Sequence, residues 1–176
     1  MRSYIRARRA GAWYFFTVNL AERRGNDLLV RRIADLRAAF RRVRDDHPLE
    51  IDAIAVLPDH LHCLWRLPPG DDDYPLRWRL IKAHFSRSMV GGERISSSRL
   101  RKGERGIWQR RYWEHAIRDE RDYRNHMDYI HYNPVKHGYV RAAREWPHSS
   151  FHRCVERGMY PLDWAAAAEI EECDWE

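Results

Sequence analysis

The sequence predicts an α+β fold: a ferredoxin-like antiparallel sheet with helices on one face, plus a C-terminal helical tail. The first observation is a set of segments with strand-like composition or alternation, at 13–20, 49–57, 60–67 and within 107–117. The second is a set of segments with apolar residues at helical spacing, at 28–44, 76–90 and 120–133. The third is their order, strand, helix, hairpin, helix, strand, which is that of a split βαβ unit.

The strands are justified by composition and by the turns between them. Residues 13–20 (WYFFTVNL) are aromatic and β-branched, as in a buried strand. Residues 49–57 (LEIDAIAVL) alternate and then become fully apolar, as a central strand does. Pro58-Asp59 predicts a tight turn, which makes 60–67 the returning strand of a hairpin.

The helices are justified by spacing and by stop signals. The first should end at 45–48, where Pro48 disfavours helical backbone in the residue before it. The second carries its apolar residues on one side, and the third is expected to end near Asn133-Pro134. Between them, residues 91–106 are Gly/Ser-rich and basic, which predicts a mobile loop.

The composition indicates a nucleic-acid partner. The 176 residues fit one domain, and 32 Lys and Arg against 26 Asp and Glu give a formal net charge of +6. Arginine dominates the cations, and it suits forked contacts to phosphate. Eight Trp and nine Tyr supply flat faces on which unpaired bases can stack. An Arg-rich surface without any nucleic-acid role remains an alternative at this point.

The cysteines and the N-terminus predict a cytoplasmic location. Cys63, Cys154 and Cys173 are widely separated and form no C-x-x-C pair, so ordinary thiols in a reducing compartment are expected. The apolar stretch 12–18 is short and aromatic, and no segment has membrane-spanning length, so neither a secretory signal nor a membrane partner is expected.

The pair His60 and His62 is the first candidate for chemistry. Residues two apart on a strand point to the same face, so both imidazoles can bind one divalent cation. Two histidines on a solvated face of a hairpin are the alternative reading. The pair therefore needs further ligands to become a convincing metal site.

The helix 128–133 (DYIHYN) is the second candidate. Tyr129 and Asn133 are four residues apart and share a helix face. A tyrosine oxygen can attack phosphorus when a cation polarises the phosphate, and the Asn133 carbonyl oxygen can be a metal ligand. A core tyrosine and a turn asparagine are the alternative reading.

Taken in order along the chain, five segments resemble the REP-associated tyrosine transposases, a branch of the single-tyrosine HUH transposases. They are FFTVNL (15–20), LPDHLHCLW (57–65), WQRRYWEHAIR (108–118), DYIHYNPVKHGYV (128–140) and WPHSSFHRCVERGMYPLDW (146–164). The resemblance spans residues 13–164, and the loop 91–106 is the main part without a clear counterpart.

The resemblance implies an enzyme that cleaves and rejoins single-stranded DNA folded as a palindromic hairpin. His60 and His62 match the metal-binding histidines, Tyr129 matches the nucleophile, and Asn133 matches the amide ligand of this branch. The metal is expected to be Mg²⁺ or Mn²⁺, with no nucleotide cofactor. Cleavage would leave a 5′-phosphotyrosine link and a free 3′-hydroxyl.

Other basic residues are expected to contact DNA. Arg77, Arg79, Lys82 and Arg87 flank the second helix, where a solvated face explains them equally well. Lys136 and His137 follow the nucleophile and are expected near the scissile phosphate. Arg153 belongs to an extension, 146–176, that follows a single transposase domain, 1–145, and is expected to contact the hairpin.

Several acidic and histidine residues are kept out of the predicted site. Asp71, Asp72 and Asp73 are expected to form a solvated loop, Glu114 and His115 to have surface roles, and His131 to point away from Tyr129. A monomer is expected, with a dimer as the alternative. Two other functions stay open: a non-catalytic single-strand-binding module and a metal-dependent phosphodiesterase that uses water.

Overall fold

A four-stranded antiparallel sheet with the strand order β2-β3-β1-β4 organises the fold. It is described in a computed structural model that covers residues 8–91, 93 and 95–165. The strands are β1 (Trp13–Asn19), β2 (Glu50–Val56), β3 (His60–Arg66) and β4 (Trp113–Ala116). The order of strands and helices is that of the predicted ferredoxin-like arrangement, which is confirmed.

Six α-helices and one short 3₁₀ helix accompany the sheet in the described part of the chain. The helices are α1 (Leu28–Arg31), α2 (Ile33–Asp46), α3 (Tyr74–Arg87), α4 (Ser97–Leu100), α5 (Glu120–Lys136) and α6 (Phe151–Glu156), with the 3₁₀ turn at Ala143–Glu145. Among the described residues, no helix combines the length and the apolar character needed to cross a membrane.

One face of the sheet packs on α2 and α3, the two crossover helices. Alternate residues of β1, among them Tyr14, Phe16 and Val18, point to this side because successive strand side chains face opposite ways. Phe40 of α2 and Trp78 of α3 meet them in one apolar cluster. The prediction of helices on one face holds for this pair of helices.

The opposite face is covered by α5, which the sequence did not place. Phe15 of β1 and Leu64 of β3 pack there against Met127 and Ile130 of α5. The sheet is therefore buried on both sides over its central strands, which explains why all but the last residue of β3 is buried.

Helix α5 continues past its proline, contrary to the expectation that it ends near Asn133-Pro134. Pro134 lacks an N–H and removes one backbone hydrogen bond, but it lies in the last turn of the helix. The helix closes beyond it, where the His137 N–H donates to the Asn133 carbonyl at 3.0 Å. Asn133 is therefore held in regular helix and not in a turn.

The segment 91–106 contains more structure than the predicted loop. It includes α4 and is attached to the end of α3 by Arg105, which donates to the Met89 carbonyl at 2.8 Å and pairs with Glu93. Residues 92 and 94 lie outside the described part.

The beginning of the predicted C-terminal extension packs along the edge of β2. The Val56 N–H donates to the His148 carbonyl at 2.8 Å, and the Ser150 N–H donates to the Ile54 carbonyl at 2.8 Å. The Trp146 indole donates to the Val56 carbonyl at 3.0 Å. This segment extends the sheet edge, while residues 166–176, including Cys173, lie outside the described part.

Arg77 is a buried structural residue of α3. Its guanidinium donates to the Pro48 carbonyl at 2.7 Å, to the Asp73 carbonyl at 3.1 Å and to both carboxylate oxygens of Asp71. Only 2% of the Arg77 side chain is exposed. The expected contact between Arg77 and DNA does not fit this placement, because the protein itself occupies the donors.

We predict that Arg77→Ala lowers the free energy of unfolding by about 3 kcal/mol, because it leaves a carboxylate and buried carbonyls without their donor. The exposed Arg79→Ala on the same helix is the control and should stay within about 0.5 kcal/mol. Urea unfolding followed by circular dichroism measures both. Weakened DNA binding by Arg77→Ala with unchanged stability would contradict the structural role.

Candidate active site

The site forms where β3 faces α5. His60 and His62 are alternate residues of β3, so both side chains point to the α5 side of the sheet, and both are buried. Their ring centroids are 5.0 Å apart. The ring of Tyr129, from α5, lies edge-on to His62 with the centroids 5.1 Å apart. The sheet face thus brings the two histidines and the tyrosine together.

Asp59 fixes the orientation of His60. The Nδ1 atom of His60 lies 2.6 Å from a carboxylate oxygen of Asp59, whose other oxygen accepts from Arg23 at 2.6 Å. Burial lowers the pKa of His60, although the Asp59 carboxylate opposes the shift. Because a carboxylate accepts, Nδ1 is the protonated nitrogen and Nε2 keeps a lone pair.

Thr17 is the hydrogen-bond partner of the His62 ring, as Asp59 is of the His60 ring. The Nδ1 atom of His62 lies 2.9 Å from the Thr17 hydroxyl oxygen on β1. The Nε2 atom is buried and has no hydrogen-bond partner in the described part of the chain. Burial, followed by the nearby His60 and His137, holds the pKa of His62 well below its usual value. A neutral imidazole with a free lone pair is the form that binds metals.

Asn133 brings a buried amide to the same place. Its side chain is fully buried, and neither its oxygen nor its nitrogen has a hydrogen-bond partner among the residues described. The amide approaches His62 closely enough to oppose the lowering of the pKa of that imidazole, but without the geometry of a hydrogen bond. Buried amides with unsatisfied hydrogen-bonding capacity are rare in folded proteins, which makes the Asn133 amide a candidate ligand for a bound group.

Basic residues at the end of α5 border the site. The Lys136 ammonium lies over the Tyr129 ring, 5.4 Å from its centroid. The ring of His137 lies 5.3 Å from that of His60, centroid to centroid. Both Lys136 and His137 are exposed, so a phosphate could approach the site from this side.

The predicted basic residues of α3 lie elsewhere. Arg79, Lys82 and Arg87 line a groove of about 610 Å³ on the crossover-helix side of the sheet. Arg79 and Arg87 are exposed, whereas the Lys82 ammonium donates to the Gln109 carbonyl at 2.9 Å. This groove is separated from Tyr129 by the sheet.

The Arg153 guanidinium is bonded to the backbone of β2. It donates to the backbone carbonyls of Ile51 and Asp52 at 2.9 and 2.8 Å. It therefore holds α6 on the edge of β2. In the same extension, the ring of Trp164 stacks on that of Phe151.

Sequence reasoning kept some residues out of the site and missed others. His131 is buried and bonded to Ser150, away from Tyr129 as expected. Glu114 is buried on the opposite side of the sheet, beside the Tyr74 hydroxyl, so the expectation of a surface role for it is wrong. The sequence analysis missed Asp59 and Thr17. The position of Asp59 next to His60 in the sequence could have indicated its role. No local pattern indicates Thr17, because only strand pairing places it beside His62.

Comparison with known proteins agrees with this geometry. No family model matches the chain. A REP-associated tyrosine transposase of Escherichia coli K12 is 49% identical over 165 residues, which cover 94% of this chain and 92% of that protein. A Haemophilus influenzae protein that provisionally carries the same family name is 44% identical over 172 residues, with 97% of each chain covered.

A solved structure agrees as well. The structure of a REP-associated tyrosine transposase bound to a REP hairpin superposes with a TM-score of 0.81 at 46% sequence identity, covering 98% of this chain and 96% of that one. The sequence similarity extends over nearly the full length of the chain, the fold is shared, and Tyr129 lies beside the histidine pair. The chain belongs to the REP-associated tyrosine transposases.

Proposed function

We propose that this chain cleaves and rejoins single-stranded DNA next to a hairpin, with Tyr129 as the nucleophile. The observation that carries the proposal is the approach of the Tyr129 ring to His62, beside the His62 Nε2 atom and the Asn133 amide, which are buried and have no hydrogen-bond partner within the described residues. These are the atoms through which a divalent cation would be bound next to Tyr129.

The residues present fit a divalent metal ion. His60, His62 and Asn133 would hold it through two imidazole nitrogens and an amide oxygen, and Asp59 and Thr17 orient the imidazoles. Mg²⁺ or Mn²⁺ suits a set that leaves positions open for phosphate oxygens. When bound, the ion would neutralise the non-bridging oxygens of the scissile phosphate.

The chain's own residues then account for the bond changes. The Tyr129 phenol oxygen forms a bond to phosphorus, and the bond from phosphorus to the 3′-oxygen breaks. The phenol proton is lost to solvent, and the leaving 3′-oxygen gains a proton to become a hydroxyl. Lys136, over the Tyr129 ring, and His137, beside His60, are placed to contact the phosphate.

The phosphotyrosine makes the reaction reversible. The bond between Tyr129 and phosphorus retains the energy of the broken phosphodiester, so a 3′-hydroxyl can attack it and release the tyrosine. Attack by the original 3′-hydroxyl restores the strand, and attack by a different one transfers it. This is the property that a transposase needs and that hydrolysis by water would destroy.

The proposed substrate is DNA with a hairpin, since a solved relative is bound to a REP hairpin. Arg79 and Arg87 are exposed cations that could track its backbone. We further propose that the protein acts as a monomer in the cytoplasm, where DNA is accessible, and that the extension beginning at residue 146 lies near the hairpin.

Tyr129→Phe should abolish the covalent protein–DNA adduct, because it removes the attacking oxygen and retains the ring. The test incubates the full chain with end-labelled hairpin DNA and Mn²⁺ and detects adducts on a denaturing gel. Tyr132→Phe, which removes a hydroxyl less than one helical turn away, is the matched control and should form the adduct. Cleavage without any adduct would indicate a water-dependent phosphodiesterase, and binding without cleavage a non-catalytic module.

Asp59→Asn should weaken Mn²⁺ binding roughly 10-fold to 100-fold, because the charge is lost and one of the two oxygens that accept from His60 and Arg23 becomes an amide NH₂, which cannot accept. Titration of free Mn²⁺ by electron paramagnetic resonance measures this directly, without DNA. Glu120→Gln is the control, since its side chain is 76% exposed at the start of α5. Unchanged Mn²⁺ affinity in a His62→Ala variant would show that the metal does not bind here.

Hairpin affinity should fall steeply with salt if arginines neutralise phosphates. The slope of log K against log salt concentration should decrease by roughly 1 in each of the variants Arg79→Ala and Arg87→Ala. Fluorescence anisotropy of labelled hairpin from low to moderate salt gives the slopes. A flat response of the unmodified protein would contradict a surface that tracks phosphates.

A further inference from the structure

A second feature next to Tyr129 is not used by the reaction described above. A cavity of about 220 Å³ is lined by Phe15, Thr17, Trp113, His126 and Tyr129. Four of these five side chains are aromatic rings, and the fifth offers a hydroxyl. Within the part of the chain that the structure describes, no arginine, lysine or carboxylate lines it, so the cavity is suited to a neutral, flat group and not to a phosphate.

Trp113 is the exposed wall of this cavity. It lies on β4 opposite Thr17 of β1, and 52% of it is exposed. Its ring contacts Phe15 edge-on at 5.5 Å between centroids, and Phe15 contacts Tyr129 at 5.8 Å. An exposed tryptophan thus lies one ring away from the nucleophile.

A stack of rings supports Trp113 from behind. The Trp113 and His115 rings are parallel within 4° at 5.8 Å, and the His115 and His126 rings are within 16° at 4.8 Å. His126 in turn contacts Phe15 at 4.7 Å. The indole is therefore held in a fixed plane, which lowers the conformational entropy lost when a ligand stacks on it.

Asp122 anchors this stack of rings. Together with His115 and His126 it forms a cluster with the spacing of a metal site. The ligand atoms of His115, Asp122 and His126 lie within 4.8 Å of one another. However, the Asp122 carboxylate already accepts from His115 at 2.8 Å and from the Arg118 N–H at 2.9 Å. A metal would have to displace these donors, so the cluster is better explained as support for the rings.

We infer that the cavity binds one unpaired nucleobase, from a nucleotide that flanks the scissile phosphate, stacked on Trp113. This inference rests on the proposed function and adds a base-binding subsite to it. A base joined to the phosphate under attack must lie within one nucleotide of Tyr129, and this ring-lined cavity shares Tyr129 as a wall. Aromatic stacking suits a single-stranded base because every base has a flat face.

The test combines protein and DNA changes. Trp113→Ala should slow adduct formation roughly 10-fold to 100-fold on intact DNA, whereas Trp113→Tyr should retain most of the rate. Abasic substitution at one of the two positions flanking the cleaved bond should slow the unmodified protein by a similar factor. On that abasic DNA, Trp113→Ala should cause no further loss, because the stacking partner is already absent.

The matched control is Trp13→Ala, which removes an exposed tryptophan from the same sheet face outside the cavity. Its adduct rate should stay within about threefold on both DNAs, given that surface substitutions have small effects. Thermal melting shows whether each variant is folded. An equal loss by Trp113→Ala on intact and abasic DNA, or no loss on either, would overturn the inference.

A binding readout separates this inference from the proposed reaction. With Tyr129→Phe protein, 2-aminopurine at the flanking position should be quenched on binding, and Trp113→Ala should remove the quenching. Quenching that depends on Trp113 without any adduct from unmodified protein would leave the subsite standing and reject the nucleophile. An adduct formed without such quenching would reject the base-binding subsite and leave the proposed nucleophile standing.

Discussion

The alternation of side chains along β3 is the constraint on which the site depends. Pairing with β1 on one side and β2 on the other fixes the register of β3, so His60 and His62 both face α5. A slip of one residue would turn both imidazoles into the apolar cluster under α2 and α3. The same pairing places Thr17 opposite His62, where it orients the ring. Sheet register therefore determines both the proposed metal ligands and their support.

The second requirement is that α5 places Tyr129 and Asn133 against that sheet face, level with the two histidines. Met127 and Ile130 anchor α5 in the apolar cluster, and the residues between and beyond them deliver Tyr129 and Asn133 to the histidines. Continuation of α5 past Pro134 keeps Asn133 rigid. Burial of a polar amide that has no hydrogen-bond partner among the described residues costs free energy, and the apolar contacts that anchor α5 offset this cost.

Charge is divided between structural and exposed positions. Arg77 and Arg153 satisfy backbone carbonyls and hold α3 and α6 in place. Arg79 and Arg87 remain exposed, on the opposite side of the sheet from Tyr129. A net positive charge therefore does not mean that every arginine is available to DNA. Near Tyr129, Lys136 supplies a positive charge and His137 an imidazole, while no charged side chain of the described residues lines the ring-lined cavity.

The sequence by itself determined the order of strands and helices, the pairing of His60 with His62 on one strand face, and the spacing of Tyr129 and Asn133 on one helix face. Strand and helix periodicity are local properties, so they can be read from consecutive residues. Only the tertiary structure decided that α5 covers the sheet face opposite to α2, that Arg77 is buried, and that Thr17 and Trp113 lie beside the site. These depend on which surfaces meet after folding, because contacts between residues distant in sequence are set by packing and not by any local pattern.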